Sequence, residues 1–378
     1  MDILKPELMW IEGRCYRLNF QDSSFKEEED GRLLYDGFGE ENSECPVEEP
    51  GDSIEIETTE NGQYRTFLRV PRFYFAYVVG SKASVRRQIE NTTKTQIHVP
   101  RQGQDGCIVI TGSTKSAVSA AGRRINLIVT SARHKQQFTH FLSIPMAGDS
   151  IRNNFMVFKE RVLDICKNSR GVDTSIFQTP EKLHLTLGTL VIMDANEREA
   201  AAQTLEECKA NVIVPLLKNK LLVVCMVGVE YMNDDPAEVD VLYGKVCAKN
   251  GSHILQELAD GVVNYFSDKG LMKKQYEQVK LHVTLMNTVF RSDETDAETP
   301  RGRHKHRETF DATCILKNFE DYDFGEQSIG GIRLSLRFST SSSGYYQTTA
   351  EILLNRTNIC RAVLDMRAET LYEYARVA

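Results

Sequence analysis

Two short stretches of the chain are almost the same: KLHLTL at residues 182–187 and KLHVTL at residues 280–285. Side chains alternate along a strand. If each stretch is a strand, His184 and Thr186 share one face, and so do His282 and Thr284. Leu183, Leu185 and Leu187, with Leu281, Val283 and Leu285, then point to the core. Two imidazoles over one phosphorus suit phosphodiester chemistry. A neutral ring takes a proton from the attacking water or hydroxyl, and a protonated ring gives one to the leaving oxygen. Both work near their ordinary pKa of about 6.5. The two threonine hydroxyls can hold the non-bridging oxygens as charge develops. Lys182 and Lys280, two residues upstream, are possible phosphate contacts. This chemistry needs neither metal nor cofactor. A single His-x-Thr is most simply an amphipathic strand; its recurrence, with similar flanking elements, gives the pair its weight.

Other candidates are weaker. Tyr345 and Tyr346 could stack on a base, although core packing of at least one is the better reading. The basic run from Arg301 to Arg307 reads as a solvated loop before it reads as a phosphate or import patch. His304 and His306 lack further ligands at a metal-binding spacing. No phosphate-binding loop, nucleophile elbow or Rossmann glycine run is present.

The 378 residues exceed a usual single domain, and 41% are apolar. The net charge of −7 hides an uneven distribution. Residues 22–60 hold fifteen acidic side chains against two basic ones, a balance of −13 that leaves +6 for the remainder. A basic body can bind a polyanion despite the acidic total. The nine cysteines form no C-x-x-C pair, which predicts small core residues in a reducing compartment. No apolar run is long enough for a membrane helix.

Residues 1–52 read as a short strand or docking segment around Trp10, followed by a mobile acidic linker. Residues 53–134 read β-α-α-β-β-α, with the four-residue link GSKA between the first two helices. Residues 135–378 read as two α+β lobes, each with one His-x-Thr strand. Within them a helix carries Ile151, Phe155, Phe158, Val162 and Ile165 on one face. A second helix starts at the N-cap Asp194. The segment EVDVLYGKV is strand or short helix, and GIRLSLRF and YYQTTAEILL close the sheet.

The 53–134 pattern resembles a type I KH domain, in which a G-x-x-G loop lets a single strand pass. Here the loop is Gly80, Ser81, Lys82 and Ala83, followed by Arg86 and Arg87. Ala83 stands where the family has its second glycine, and its Cβ disfavours positive φ. The paired His-x-Thr strands resemble the two-histidine (2H) phosphoesterases, in their A-kinase anchor protein-like branch. That resemblance implies an α+β, bilobal domain with two antiparallel-sheet lobes. It places catalysis on His184 and His282, with Thr186 and Thr284 as phosphate holders. The implied substrates are RNA ends, cyclic phosphates or 2′-5′ linkages, and the implied partner is single-stranded RNA or another nucleic acid. Taken together, the two resemblances further imply a nuclear subunit of a transcription-coactivator and alkylation-damage-response complex with a helicase subunit. The alternative is a catalytically silent nucleotide-binding or scaffold subunit.

Overall fold

The computed structural model describes residues 7–11, 14–18 and 54–354, apart from 102, 105, 219, 275 and 292–307. The acidic linker of residues 21–52 and the basic run at 301–307 lie outside the described residues. The chain falls into two compact units, residues 1–137 and 138–378.

In the first unit, Glu7–Ile11 (β1) and Arg14–Leu18 (β2) form an antiparallel pair, so Trp10 lies in a strand. Then come Glu57–Thr58 (β3), Tyr64–Leu68 (β4), Phe75–Val79 (α1), Ser84–Thr93 (α2), Thr95–His98 (β5), Ile108–Gly112 (β6) and Lys115–His134 (α3). The sheet order is β3-β4-β6-β5, antiparallel throughout. The Thr114 hydroxyl caps α3 by accepting from the Ala117 amide. Along α3, Val118, Ala121, Ile125, Ile128, Val129 and Ala132 are buried. Ala117 and Ala120 are only half-buried.

The second unit contains His140–Pro145 (β7), Asp149–Ile165 (α4), His184–Leu190 (β8), Ala195–Cys208 (α5), Val214–Leu217 (α6), Val223–Tyr231 (β9), Val241–Ala248 (β10), Ile254–Asp268 (α7), His282–Asn287 (β11), Thr313–Phe319 (α8), Asp323–Ser328 (β12), Gly331–Leu336 (β13) and Thr348–Leu353 (β14). Asp194 caps α5 as predicted, its carboxylate accepting from the Glu197 amide. The segment that reads as either strand or helix is the strand β10. The strand order is β12-β9-β10-β11-β8-β7-β13-β14. The two lobes are thus four-stranded halves of one sheet. They meet where β11 pairs with β8, at the single register pair Val283–Leu185. The C-terminal strands β13 and β14 complete the first lobe, with Arg333 opposite Ser143 on β7. The core behind the sheet takes in Leu183, Leu185, Leu187, Val283 and Leu285.

Three expectations are corrected. Ile165 is 45% exposed, because it ends α4 and lies past the last turn that packs. Helix α8 and strand β12 follow the polar insertion, where no such elements were expected. Cys166 and Cys314, expected as core thiols, are joined as a disulfide with Cα atoms 5.8 Å apart.

Candidate active site

Opposed residues of an antiparallel pair share a face. With Val283 opposite Leu185 and both buried, the next residue on either side turns to the other face. Continuing that register sets His282 across from Thr186 and Thr284 across from His184. All four predicted residues therefore share one face, at the line where the lobes join. The two histidines are diagonal neighbours, a relation that places Cα atoms roughly 7–8 Å apart.

The two halves repeat each other in detail. His184 donates from Nδ1 to the carbonyl of Lys182 at 2.7 Å, and His282 from Nδ1 to the carbonyl of Lys280 at 2.7 Å. With Nδ1 as the donor, Nε2 is the ring nitrogen left to exchange protons. The His184 ring meets Tyr346 edge-on at 5.4 Å, and the His282 ring meets Tyr243 edge-on at 5.4 Å. The Lys182 ammonium lies 4.9 Å from the Tyr346 ring centre, and that of Lys280 4.6 Å from Tyr243. Lys182 also donates to the Thr340 hydroxyl at 2.8 Å. Both lysines flank the imidazoles through aromatic contacts. Lys182 itself closes a 3-10 turn, Pro180–Lys182, rather than starting the strand. The hydroxyls of Thr186 and Thr284 are committed to no other described group.

Burial in this aromatic cleft pushes the His184 pKa down to about 4. Its bond to the Lys182 carbonyl opposes the shift, and the nearby His282 adds to it. Burial likewise lowers His282, against its bond to the Lys280 carbonyl and with the help of the Lys280 charge. Tyr345 is buried and shares a hydrogen bond with Ser143 at 2.9 Å. Burial raises its phenol to about 12. Tyr345 is thus a packing residue, whereas the half-buried Tyr346 lines the cleft beside His184. Sequence reasoning missed Phe141, 5.1 Å from the His184 ring, and Tyr243. Neither sits in a repeated motif; only the strand pairing brings them in. Among the described residues, no group of three or more His, Cys, Asp or Glu could hold a metal ion.

The GSKA link in the other unit has a distinctive backbone. Gly80 has φ +69°, and a Cβ there would meet Val85 Cγ2 at 2.5 Å. Lys82 and Ala83 also have positive φ, +48° and +60°. Ala83 therefore holds the left-handed conformation that its family position gives to glycine. Lys82, Ser81 and Arg87 are exposed. Arg86 is half-buried and pairs with Glu90 at 3.7 Å, and Glu90 also accepts from the Ile97 amide at 2.8 Å. Arg86 is therefore partly engaged in tying α2 to β5. Left-handed backbone costs a non-glycine residue about 1–2 kcal/mol, less the extra freedom glycine has when unfolded. Ala83→Gly is expected to stabilise this unit by about 0.5–1 kcal/mol and to tighten RNA binding by removing the Cβ. Denaturant melts and an RNA titration check this; a less stable variant would contradict it.

A family model described as the AKAP7 2'5' RNA ligase-like domain matches residues 138–354, and one for the KH domain matches residues 65–127. Mouse activating signal cointegrator 1 complex subunit 1 is 40% identical over 361 residues, covering 93% of this chain and 99% of the relative. The solution structure of the first type I KH domain of human Vigilin is 25% identical, covering 23% of this chain and 94% of that one, at a TM-score of 0.20. A crystal structure of a Thermus thermophilus protein is 16% identical, covering 57% of this chain and 97% of that one, at 0.34. A crystal structure described as a phosphoesterase is 13% identical, covering 58% and 99%, also at 0.34. By the extent of the family and relative matches, the chain belongs to the family of activating signal cointegrator 1 complex subunit 1, a KH domain followed by an AKAP7 2'5' RNA ligase-like domain.

Proposed function

We propose that the chain is an RNA-binding, metal-independent 2H phosphodiesterase acting on RNA ends, cyclic phosphates or 2′-5′ linkages. The carrying observation is the pair of imidazoles, each locked through Nδ1 to a lysine carbonyl, side by side where the two lobes join. Nε2 of one ring removes the proton of the attacking water or hydroxyl, and Nε2–H of the other protonates the leaving oxygen. Thr186 and Thr284 donate to the non-bridging oxygens, and the KH unit supplies affinity for the strand. The mouse relative's name supports a place in an activating signal cointegrator 1 complex; a helicase partner and a nuclear location belong to the proposal itself. Co-purification with that helicase tests the partnership. Activity is tested with RNAs bearing different 3′ ends, 2′,3′-cyclic phosphates and 2′-5′-linked oligoadenylates in EDTA, with products resolved by mass.

One observation favours a second reading, a phosphate reader without turnover. Both imidazoles are held below their ordinary pKa, chiefly by burial, which favours the neutral rings over a charged acid at pH 7. The pH profile separates the two readings. A general base must be deprotonated, so kcat/KM rises as pH climbs through about 4, the value for His184. A general acid must be protonated, so kcat/KM falls as pH passes the His282 pKa, which lies below 6.5. The expected optimum lies between these limits, with His184 as base and His282 as acid. An optimum above pH 8 would reject that assignment. Binding of phosphate without product from any substrate would favour the reader.

A further inference from the structure

Phe338 is the most exposed large apolar side chain among the described residues, at 80%. It also has φ +56°, a conformation that bulky residues rarely adopt. Its backbone is not loose. Leu336 donates to the Gln347 carbonyl at 2.9 Å, the Gln347 amide donates to the Ser339 hydroxyl at 2.9 Å, and Ser341 donates to the Tyr345 carbonyl at 2.7 Å. The β13–β14 hairpin thus holds an aromatic ring out in solvent at a conformational cost. Such strain points to a role, and packing of the ring itself cannot supply one.

The ring is not isolated. The Arg337 guanidinium carbon lies 4.2 Å from the Phe338 ring centre and 4.0 Å from that of Phe138. Arg337 also donates to the Phe138 carbonyl at 3.3 Å. Phe138, Arg337 and Phe338 therefore form a small cation–aromatic assembly with the Phe338 ring at its exposed end. The same hairpin reaches the cleft. Two residues beyond Phe338, Thr340 takes the Lys182 ammonium at 2.8 Å, and Tyr346 on the returning side packs against His184. Two residues span at most about 7 Å. The platform therefore lies within that reach of the residue that holds Lys182, on the hairpin that also carries Tyr346 to His184.

Resting on the phosphodiesterase reading, we infer that Phe338 is a nucleobase-stacking residue at the rim of the cleft. It takes the base of a nucleotide whose phosphate sits between the two histidines. Every base has a π-face, so the platform holds single-stranded nucleic acid with little sequence preference, and the nearby guanidinium adds a cation–π contribution. The contact is made equally in the ground and transition states, so its loss raises KM and leaves kcat almost unchanged.

The test is equilibrium binding of adenosine 5′-monophosphate and of ribose 5-phosphate to the full chain. The two probes share a phosphate and a ribose, and only one carries a base. The wild type is expected to bind the nucleotide about 5- to 150-fold more tightly than the sugar phosphate. Phe338→Ala and Phe338→Leu should erase that preference, Phe338→Trp should keep it, and none should change ribose 5-phosphate binding. The ring is exposed, so all three variants should melt like the wild type. Equal binding of both probes by the wild type, or a preference that survives Phe338→Ala, would remove the platform and leave the phosphate site standing. If His184→Ala with His282→Ala leaves ribose 5-phosphate binding intact, or the wild type binds neither probe, the cleft itself is misread and the platform falls with it.

Discussion

His184→Ala and His282→Ala are each expected to lower phosphodiester cleavage about 10²-fold or more, the usual scale for losing a positioned acid or base. Combining them should cost little more, because the two rings serve one proton-transfer cycle. The geometry gives no ready substitute. Lys182 and Lys280 lie over Tyr346 and Tyr243, and Tyr345 is buried with a phenol held to about 12. Thr186→Val and Thr284→Val should cost less, through lost phosphate hydrogen bonds. The fold should tolerate all four changes, because the buried Leu183, Leu185, Val283 and Leu285 carry the packing behind the site. Single-turnover rates on the best substrate, with circular dichroism as a folding control, check this. A folded His184→Ala variant cleaving at the wild-type rate would end the two-histidine account.

The second large effect concerns nucleic-acid affinity. Lys82→Glu combined with Arg87→Glu should weaken single-stranded RNA binding on the order of 10- to 100-fold near 0.1 M salt. Both side chains are exposed around the left-handed link. Each lost contact should also flatten the logarithmic salt dependence by about 0.7, so the double variant loses about 1.4 in slope. Arg86→Glu belongs in a separate experiment. Its partner Glu90 also holds the Ile97 amide, so reversing Arg86 disturbs the α2–β5 contact as well as the charge. Unchanged affinity and slope in a folded Lys82/Arg87 variant would remove this loop from RNA binding.

The local parts of this architecture were legible in the sequence because they depend on local rules. Helix α2 follows the GSKA link, as the β-α-α-β-β-α order of residues 53–134 requires, and Asp194 caps α5. The shared face of His184, Thr186, His282 and Thr284 follows from strand periodicity plus one register pair. The illegible parts are set by distant pairing. Tyr243 becomes the His282 partner only because β10 lies beside β11. Phe141 reaches His184 through β7–β8 pairing. The lock of each Nδ1 on a carbonyl two residues upstream depends on side-chain rotation, which residue types leave open. Ala83 is the opposite case. Its sequence argued against positive φ, yet the tight link between α1 and α2 imposes one.

The placement of β13 beside β7 has a consequence for synthesis. Ser143 pairs with Arg333, which is added 190 residues later. At about 5–20 residues per second, the free side of β7 waits roughly 10–40 s for its partner. During that wait HFLSIP, a run of mostly apolar residues, presents unpaired backbone amides and carbonyls. An open edge of that kind templates pairing with other chains. The first lobe is therefore begun early and closed late, and its nascent state is the stage most in need of chaperone cover. The strand carrying His184, already paired with β7 on one side, gains its other neighbour only when residue 283 emerges. The two catalytic candidates are thus brought together during the second half of translation, before the hairpin that walls one of them exists.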